Sequence, residues 1–249
     1  MSSPVYLLLG ATGGIGSALA RSLAASGARL VLSARREDAL HALAEETGAT
    51  AHPLDATDYA QVQAAVDATV EAHGRIDGAA NLVGSILLKP AHLTSVEEFD
   101  TTVALNLNTA FYLVKAAARA MQTNKEPSGG AIVLMASVAA RLGLANHEAI
   151  AAAKGGVSGL VLAAAASYAP RKIRVNAVAP GLVRTPLTAR LTGSEAAEQA
   201  SAKMHALGRI GEPEDLAGAL AFLLDAERSG WITGQTLSVD GGFATVRPR

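Results

Sequence analysis

The sequence contains no cysteine. That excludes disulfides, thiol nucleophiles and cysteine-ligated zinc or iron–sulfur centres. Aromatic residues make up only 4% of the 249 residues and charged residues 17%, against 50% hydrophobic. A core must therefore be assembled from Ala, Val, Leu and Ile, and the charge is too low for a disordered chain. Neither sign of charge dominates: 21 basic and 22 acidic residues leave a formal net charge of −1. No nucleic-acid or anionic-membrane partner is expected from that balance. Long apolar runs are also missing, and the most apolar stretch, 155–166, is too short to span a bilayer. The start, Met1-Ser2-Ser3-Pro4, lacks the charged and apolar regions of a signal peptide. The six histidines are scattered with no His-x-x-x-His pair, so no metal site is expected. These absences lead to the expectation of a soluble, cytoplasmic protein with one domain spanning residues 1–249.

What is present is an alternation of short apolar runs and helical patterns. Val5–Leu9 is a continuous apolar run closed by Gly10, which reads as a strand buried on both faces. Ile15, Leu19 and Leu23 then recur at helical spacing, so a helix is expected over 15–26, closed by Gly27. The pattern continues with strands at Arg29–Ser33, 50–54, 78–83, 131–136, 173–178 and Thr236–Val239. Helices are expected over 38–47, 58–73, 101–121, 149–169 and Pro213–Leu224. Such alternation argues for a parallel sheet of about seven strands with helices on both faces, the doubly wound α/β architecture. The least regular stretch, about 182–207, is read as a mobile lid.

The first strand and helix are joined by Gly10-Ala11-Thr12-Gly13-Gly14-Ile15-Gly16. Glycines at these spacings permit a tight turn and let the backbone approach a pyrophosphate at a helix N-terminus. Beyond the second strand, the position of a ribose-binding carboxylate holds Ala34, followed by Arg35 and Arg36. Arginines there can pair with a 2′-phosphate, which favours NADP(H) over NAD(H).

With these motifs in place, the chain resembles the short-chain dehydrogenase/reductase family in its compact form, a single-domain Rossmann-type fold, over essentially its whole length. The resemblance is carried by Gly10, Gly14 and Gly16, by Leu54-Asp55, and by Asn81-Leu82-Val83-Gly84. It continues through Asn106, Ser137, Lys154 and Asn176-Ala177-Val178-Ala179-Pro180-Gly181 with Val183 and Thr185. The segments 208–213 and 232–242 complete it. It implies that Asp55 contacts adenine, that Pro180, Gly181, Val183 and Thr185 contact nicotinamide and phosphates, and that Lys154 holds ribose hydroxyls. It further implies Asn106, Ser137 and Lys154 as catalytic groups, with Ser137 holding the substrate oxygen.

The family's proton donor is a Tyr four residues before that Lys. Here the position holds Ile150, which neither titrates nor donates a hydrogen bond. His147, three residues earlier, is a speculative replacement, and a surface His at a helix entry is its bland reading. Two functional readings stay open. One is an NADP(H)-dependent oxidoreductase acting on a carbonyl/alcohol or an activated C=C bond. The other is a catalytically silent dinucleotide-binding homologue serving as sensor, scaffold or inactive subunit. An inactivating replacement of Tyr by Ile is a third account of position 150. The substrate is expected to be small and largely apolar, because 85–93, 139–147 and 182–207 carry few charges. The resemblance implies a homodimer or homotetramer packed through the helices 101–121 and 149–169.

Overall fold

The computed structural model describes residues 3–246. Met1 and Ser2, on which the amino-terminal expectation partly rests, lie outside the described residues. Seven parallel strands form one sheet in the order β3-β2-β1-β4-β5-β6-β7. They are β1 (Val5–Leu9), β2 (Arg29–Ser33), β3 (Thr50–Ala51), β4 (Gly78–Asn81), β5 (Gly130–Met135), β6 (Ile173–Pro180) and β7 (Thr236–Val239). The strand order reverses between β1 and β4, so the crevice for a ligand lies outside the carboxyl ends of these two strands. Every residue of β1 is buried, as a central strand covered on both faces requires.

One face is covered by α1 (Gly14–Ala25), α2 (Glu37–Thr47) and, from the far end of the chain, α9 (Pro213–Leu224). Leu19, Leu23, Leu40, Leu220 and Leu224 meet the sheet there. The other face carries α3 (Tyr59–His73), α5 (Thr109–Met121) and α6 (Glu148–Tyr168), with Val62, Val66, Leu113, Met121, Val157 and Val161 facing inward. Small residues set these distances. A Cβ on Gly156 of α6 would stand 2.8 Å from Leu107 Cδ2, and one on Gly78 would stand 2.7 Å from the Tyr6 ring.

The structure departs from the expected elements in four places. The helix expected over 101–121 is two helices, α4 (Val96–Val103) and α5, joined by a π-helical turn, Ala104–Asn108. Its start moves upstream because Ser95 and Glu98 form a capping box. The strand expected over 50–54 is only two residues long, since it pairs on one side with β2 and sits at the sheet edge. The stretch 182–207 is more regular than its composition suggests: it holds α7 (Ala189–Thr192) and α8 (Glu195–Ala202), the latter capped by Ser194. Finally, α6 and its 3₁₀ extension, Glu148–Arg171, are long and apolar enough to cross a membrane by length and composition. One face of α6 nevertheless packs against β5 and β6 as a layer of this fold. A last short helix, α10 (Ala226–Ser229), follows α9.

Candidate functional site

The crevice begins at Gly10, whose φ of +79° suits only glycine. A Cβ there would also stand 2.9 Å from Leu82 C and Val83 N, so the turn lies directly against the end of β4. Gly10 and Ala11 donate to Ser33 O at 2.8 and 3.0 Å, anchoring the turn to β2. The helix α1 then starts with Gly13 as its N-cap, with no side-chain cap and no acidic residue in its first turn. The N–H groups at Gly14, Ile15 and Gly16 thus meet no side-chain acceptor, and the positive end of the helix faces the crevice. A Cβ on Gly16 would strike the Gly10 carbonyl, and one on Gly14 would stand 2.9 Å from Thr185 Cγ2. The loop after β6 therefore closes onto the glycine turn. A Cβ on Gly13 would meet only Gly10 O, at 3.4 Å, which leaves the outer side of the turn open. These residues fit a pyrophosphate: free backbone donors, no competing carboxylate, and glycines where backbone must come close.

At the second-strand end, Ala34 is buried while Arg35 and Arg36 are exposed. Arg36 Nη2 reaches Thr12 O at 3.4 Å, over the glycine turn. Asp55 accepts from Thr57 N at 2.9 Å and Thr57 Oγ1 at 2.8 Å. Those bonds, with the positive charge of Arg35, hold its carboxyl below the ordinary value. Ser33 Oγ is buried here with no partner among the described residues.

On the other side of the switch point, Asn81 ties the end of β4 to α5 by donating to Thr109 Oγ1 at 3.0 Å, and it accepts from Val83 N at 3.1 Å. Gly84 follows. A Cβ on it would stand 2.9 Å from Asn106 Oδ1 and 3.6 Å from Lys154 Nζ, so three separated segments converge on this glycine. Asn106 sits in the π turn, 1% exposed. Its Nδ2 donates to Thr102 O and Ser85 Oγ, both at 2.9 Å, and its Oδ1 accepts from Ser85 N at 3.2 Å. Lys154 is buried on α6 and donates to Met135 O at 2.8 Å. Burial pulls its ammonium down to about 8.

Ser137 caps the 3₁₀ turn Val138–Ala140 after β5, its Oγ accepting from Ala139 N at 3.1 Å. Ile150 lies one helical turn before Lys154 and is buried. His147 is the N-cap residue of α6, and its Nδ1 is engaged with Ala145 O at 2.8 Å. None of the four tyrosines fills the gap. Tyr59 and Tyr112 stack on each other with ring centroids 5.6 Å apart, Tyr6 lies on β1, and Tyr168 ends α6. Burial pushes the Tyr6 phenol up to about 12, away from useful acid–base chemistry.

The segment after β6, from Pro180, is pinned atom by atom. Gly181 N donates to Val239 O at 3.3 Å, Arg184 N to Gly211 O at 2.8 Å and Thr185 N to Thr188 Oγ1 at 3.0 Å. Leu182 N donates to His205 Nε2 at 3.1 Å. Val183 N–H alone in this run has no partner among the described residues, a donor fixed between held neighbours. Sequence reasoning missed Ser85, Thr188 and Met135 O. Polar residues in loops and main-chain acceptors carry no motif that would single them out.

A family description, Enoyl-(Acyl carrier protein) reductase, matches residues 10–244. The D-threitol dehydrogenase of Mycolicibacterium smegmatis is 36% identical over 98% of this chain and 94% of its own length. The L-rhamnose 1-dehydrogenase (NAD(P)(+)) of Azotobacter vinelandii is 37% identical over 95% of each chain. Among solved structures, a short-chain type dehydrogenase/reductase from Mycobacterium ulcerans superposes with a TM-score of 0.92 at 33% identity, covering 99% of this chain and 92% of that one. Levodione reductase gives 0.90 at 32% identity, covering 98% of both. The chain therefore belongs to the short-chain dehydrogenase/reductase family, oxidoreductases that use nicotinamide cofactors.

Proposed function

We propose that the chain, acting as one domain over 1–249, is an NADP(H)-dependent oxidoreductase for a small, largely apolar carbonyl/alcohol or activated C=C substrate. The observation that carries this reading is the convergence of Asn106 Oδ1 and Lys154 Nζ on Gly84, at the switch point of the sheet. The N–H groups that open α1 bind the pyrophosphate. Arg35 and Arg36 pair with a 2′-phosphate, and Ala34 offers no carboxylate to repel it. Lys154 holds the ribose hydroxyls, and the free Val183 N–H holds the carboxamide. Bound nicotinamide supplies the hydride chemistry. Ser137 polarises the substrate oxygen by donating its hydroxyl proton. With an alkyl group at 150, chemistry that needs only a polarised carbonyl, as in reduction of an activated C=C bond, suits this site better than alcohol oxidation. The residues 182–207 act as a lid over the substrate, α7 and α8 moving on the held residues 182–185, and the protein works in the cytoplasm as a homodimer or homotetramer.

Ile150 supports a second reading, a silent dinucleotide-binding homologue, because the position is buried aliphatic packing rather than an open gap. Thermal shift with NADPH and NADH tests the premise shared by both readings. Neither nucleotide raising Tm sinks both. Turnover of enones or ketones by the wild type then decides between them, and loss of that turnover in His147→Ala would bring His147 into the mechanism.

A further inference from the structure

His205 is buried between the end of the lid and the turn after β6, 3% exposed. Its two ring nitrogens face groups of opposite character. Nδ1 meets Ser201 O at 2.8 Å, an atom that can only accept. Nε2 meets Leu182 N at 3.1 Å, an atom that can only donate. Both bonds form together only in the neutral ring with its proton on Nδ1. The ring is held from the sides as well: a Cβ on Gly181 would stand 2.6 Å from Nε2, a Cβ on Gly241 would stand 3.7 Å from Cδ2, and Phe243 lies at 5.0 Å between centroids. Glycine at 181 thus leaves the room that the imidazole fills, and Gly241 lines its other side.

We infer that His205 is a positioning residue, latching the lid's carboxyl end to Leu182 so that the neighbouring Val183 N–H is aimed into the crevice. The inference rests on the dinucleotide reading of that N–H. His205 is the side chain that holds Leu182 N–H, while the neighbouring main-chain donors meet carbonyls or Thr188 and the Arg184 side chain pairs with Glu198 and Glu212. Adding a second proton to the ring puts an N–H against the Leu182 N–H, which breaks the bond. The charged groups on the surrounding elements are occupied elsewhere. Asp240 accepts from Gly242 N and Ala244 N. Arg184 is held by Glu198 and Glu212, and Arg209 by Asp215. Lys203, on the lid itself, is exposed.

Two amide variants separate the bonds. In His205→Gln the longer side chain can place an acceptor at the Nε2 position; in His205→Asn the shorter one reaches only the Nδ1 position. Hydrogen exchange of the backbone at Leu182, followed by mass spectrometry on the free full-length protein, reads the latch directly. Titration with NADPH reads its consequence. The expected result is faster Leu182 exchange in His205→Asn than in the wild type or His205→Gln, with NADPH affinity about 3- to 10-fold weaker in His205→Asn alone. Unchanged Leu182 exchange in His205→Asn overturns the latch, and equal NADPH affinity in all three proteins overturns the positioning role. A wild type that binds no NADPH overturns the dinucleotide reading and the positioning role with it, while the exchange data still decide whether the latch exists.

Discussion

Replacing Lys154 by Met removes the buried amine and keeps an unbranched side chain of similar reach. In the folded protein, burial pulls the Lys154 ammonium from 10.5 down to about 8. At about 1.4 kcal/mol per unit, the charged form costs the folded state about 3 kcal/mol near neutral pH. Against that, Met135 O loses its donor, a cost of about 1–2 kcal/mol. Lys154→Met is therefore expected to be about 1–2 kcal/mol more stable than the wild type near neutral pH, as read from urea unfolding. The sign of the pH dependence follows from proton counting. Between about pH 8 and pH 10.5 the unfolded chain binds more protons at this residue than the folded one, so wild-type stability rises with pH there. The variant has no such gain, and its advantage shrinks across that window. Below it both states hold the proton and the difference is constant. The same variant is expected to bind NADPH more weakly, since Lys154 would hold the ribose. A stability difference that stays flat through the whole window, or widens in it, refutes the desolvation argument.

Ile150→Tyr restores a phenol one turn from Lys154 and is expected to raise ketone reduction by about 10²- to 10⁴-fold. A folded, NADPH-binding variant with no such gain would show that the missing phenol does not limit this site. Replacing Arg35 and Arg36 together by Ala should weaken NADPH by about tenfold or more while leaving NADH affinity unchanged, measured by calorimetry. An equal loss for both nucleotides would mean that the arginines do not read the 2′-phosphate. Gly10→Ala forces a side chain onto φ +79° and places its Cβ 2.9 Å from the backbone of Leu82 and Val83. A loss of about 1–3 kcal/mol in stability is expected, and an unchanged Tm would show that the turn yields more easily than its packing implies.

The central strands and the glycine turn were legible in the sequence because their signals are local. Five consecutive aliphatics closed by Gly10 admit few other readings, and Ile15, Leu19 and Leu23 mark the buried stripe of α1. The spacing of Ile150 and Lys154 likewise survives as one turn of α6. The helices α7 and α8 were not legible, because Glu195–Ala202 has no buried residue and so carries no apolar stripe. Its helix is started by the Ser194 cap rather than by burial. The length of β3 was missed because a strand at the sheet edge owes its extent to pairing with β2, which sequence does not report. The acceptor of Lys154 is a main-chain oxygen brought near by the fold, and any residue could have supplied it.

The π turn between α4 and α5 has a mechanical consequence. Thr109 N–H reaches back five residues to Ala104 O instead of four. At the same turn, the Asn106 side chain donates to Thr102 O at 2.9 Å, a bond back to the carbonyl four residues earlier. A single amide side chain thus both faces Gly84 and binds the carbonyl of Thr102 inside the turn. An alkyl group at 106 would leave that bond unmade, and relaxation to α-helical winding would rotate all of Thr109–Met121 by about 100° per residue of slip. That rotation would turn Leu113 and Met121 off the sheet and detach Thr109 from Asn81. The register of an entire core helix is thereby tied to the side chain at 106, so that this position is constrained by folding whatever chemistry it serves.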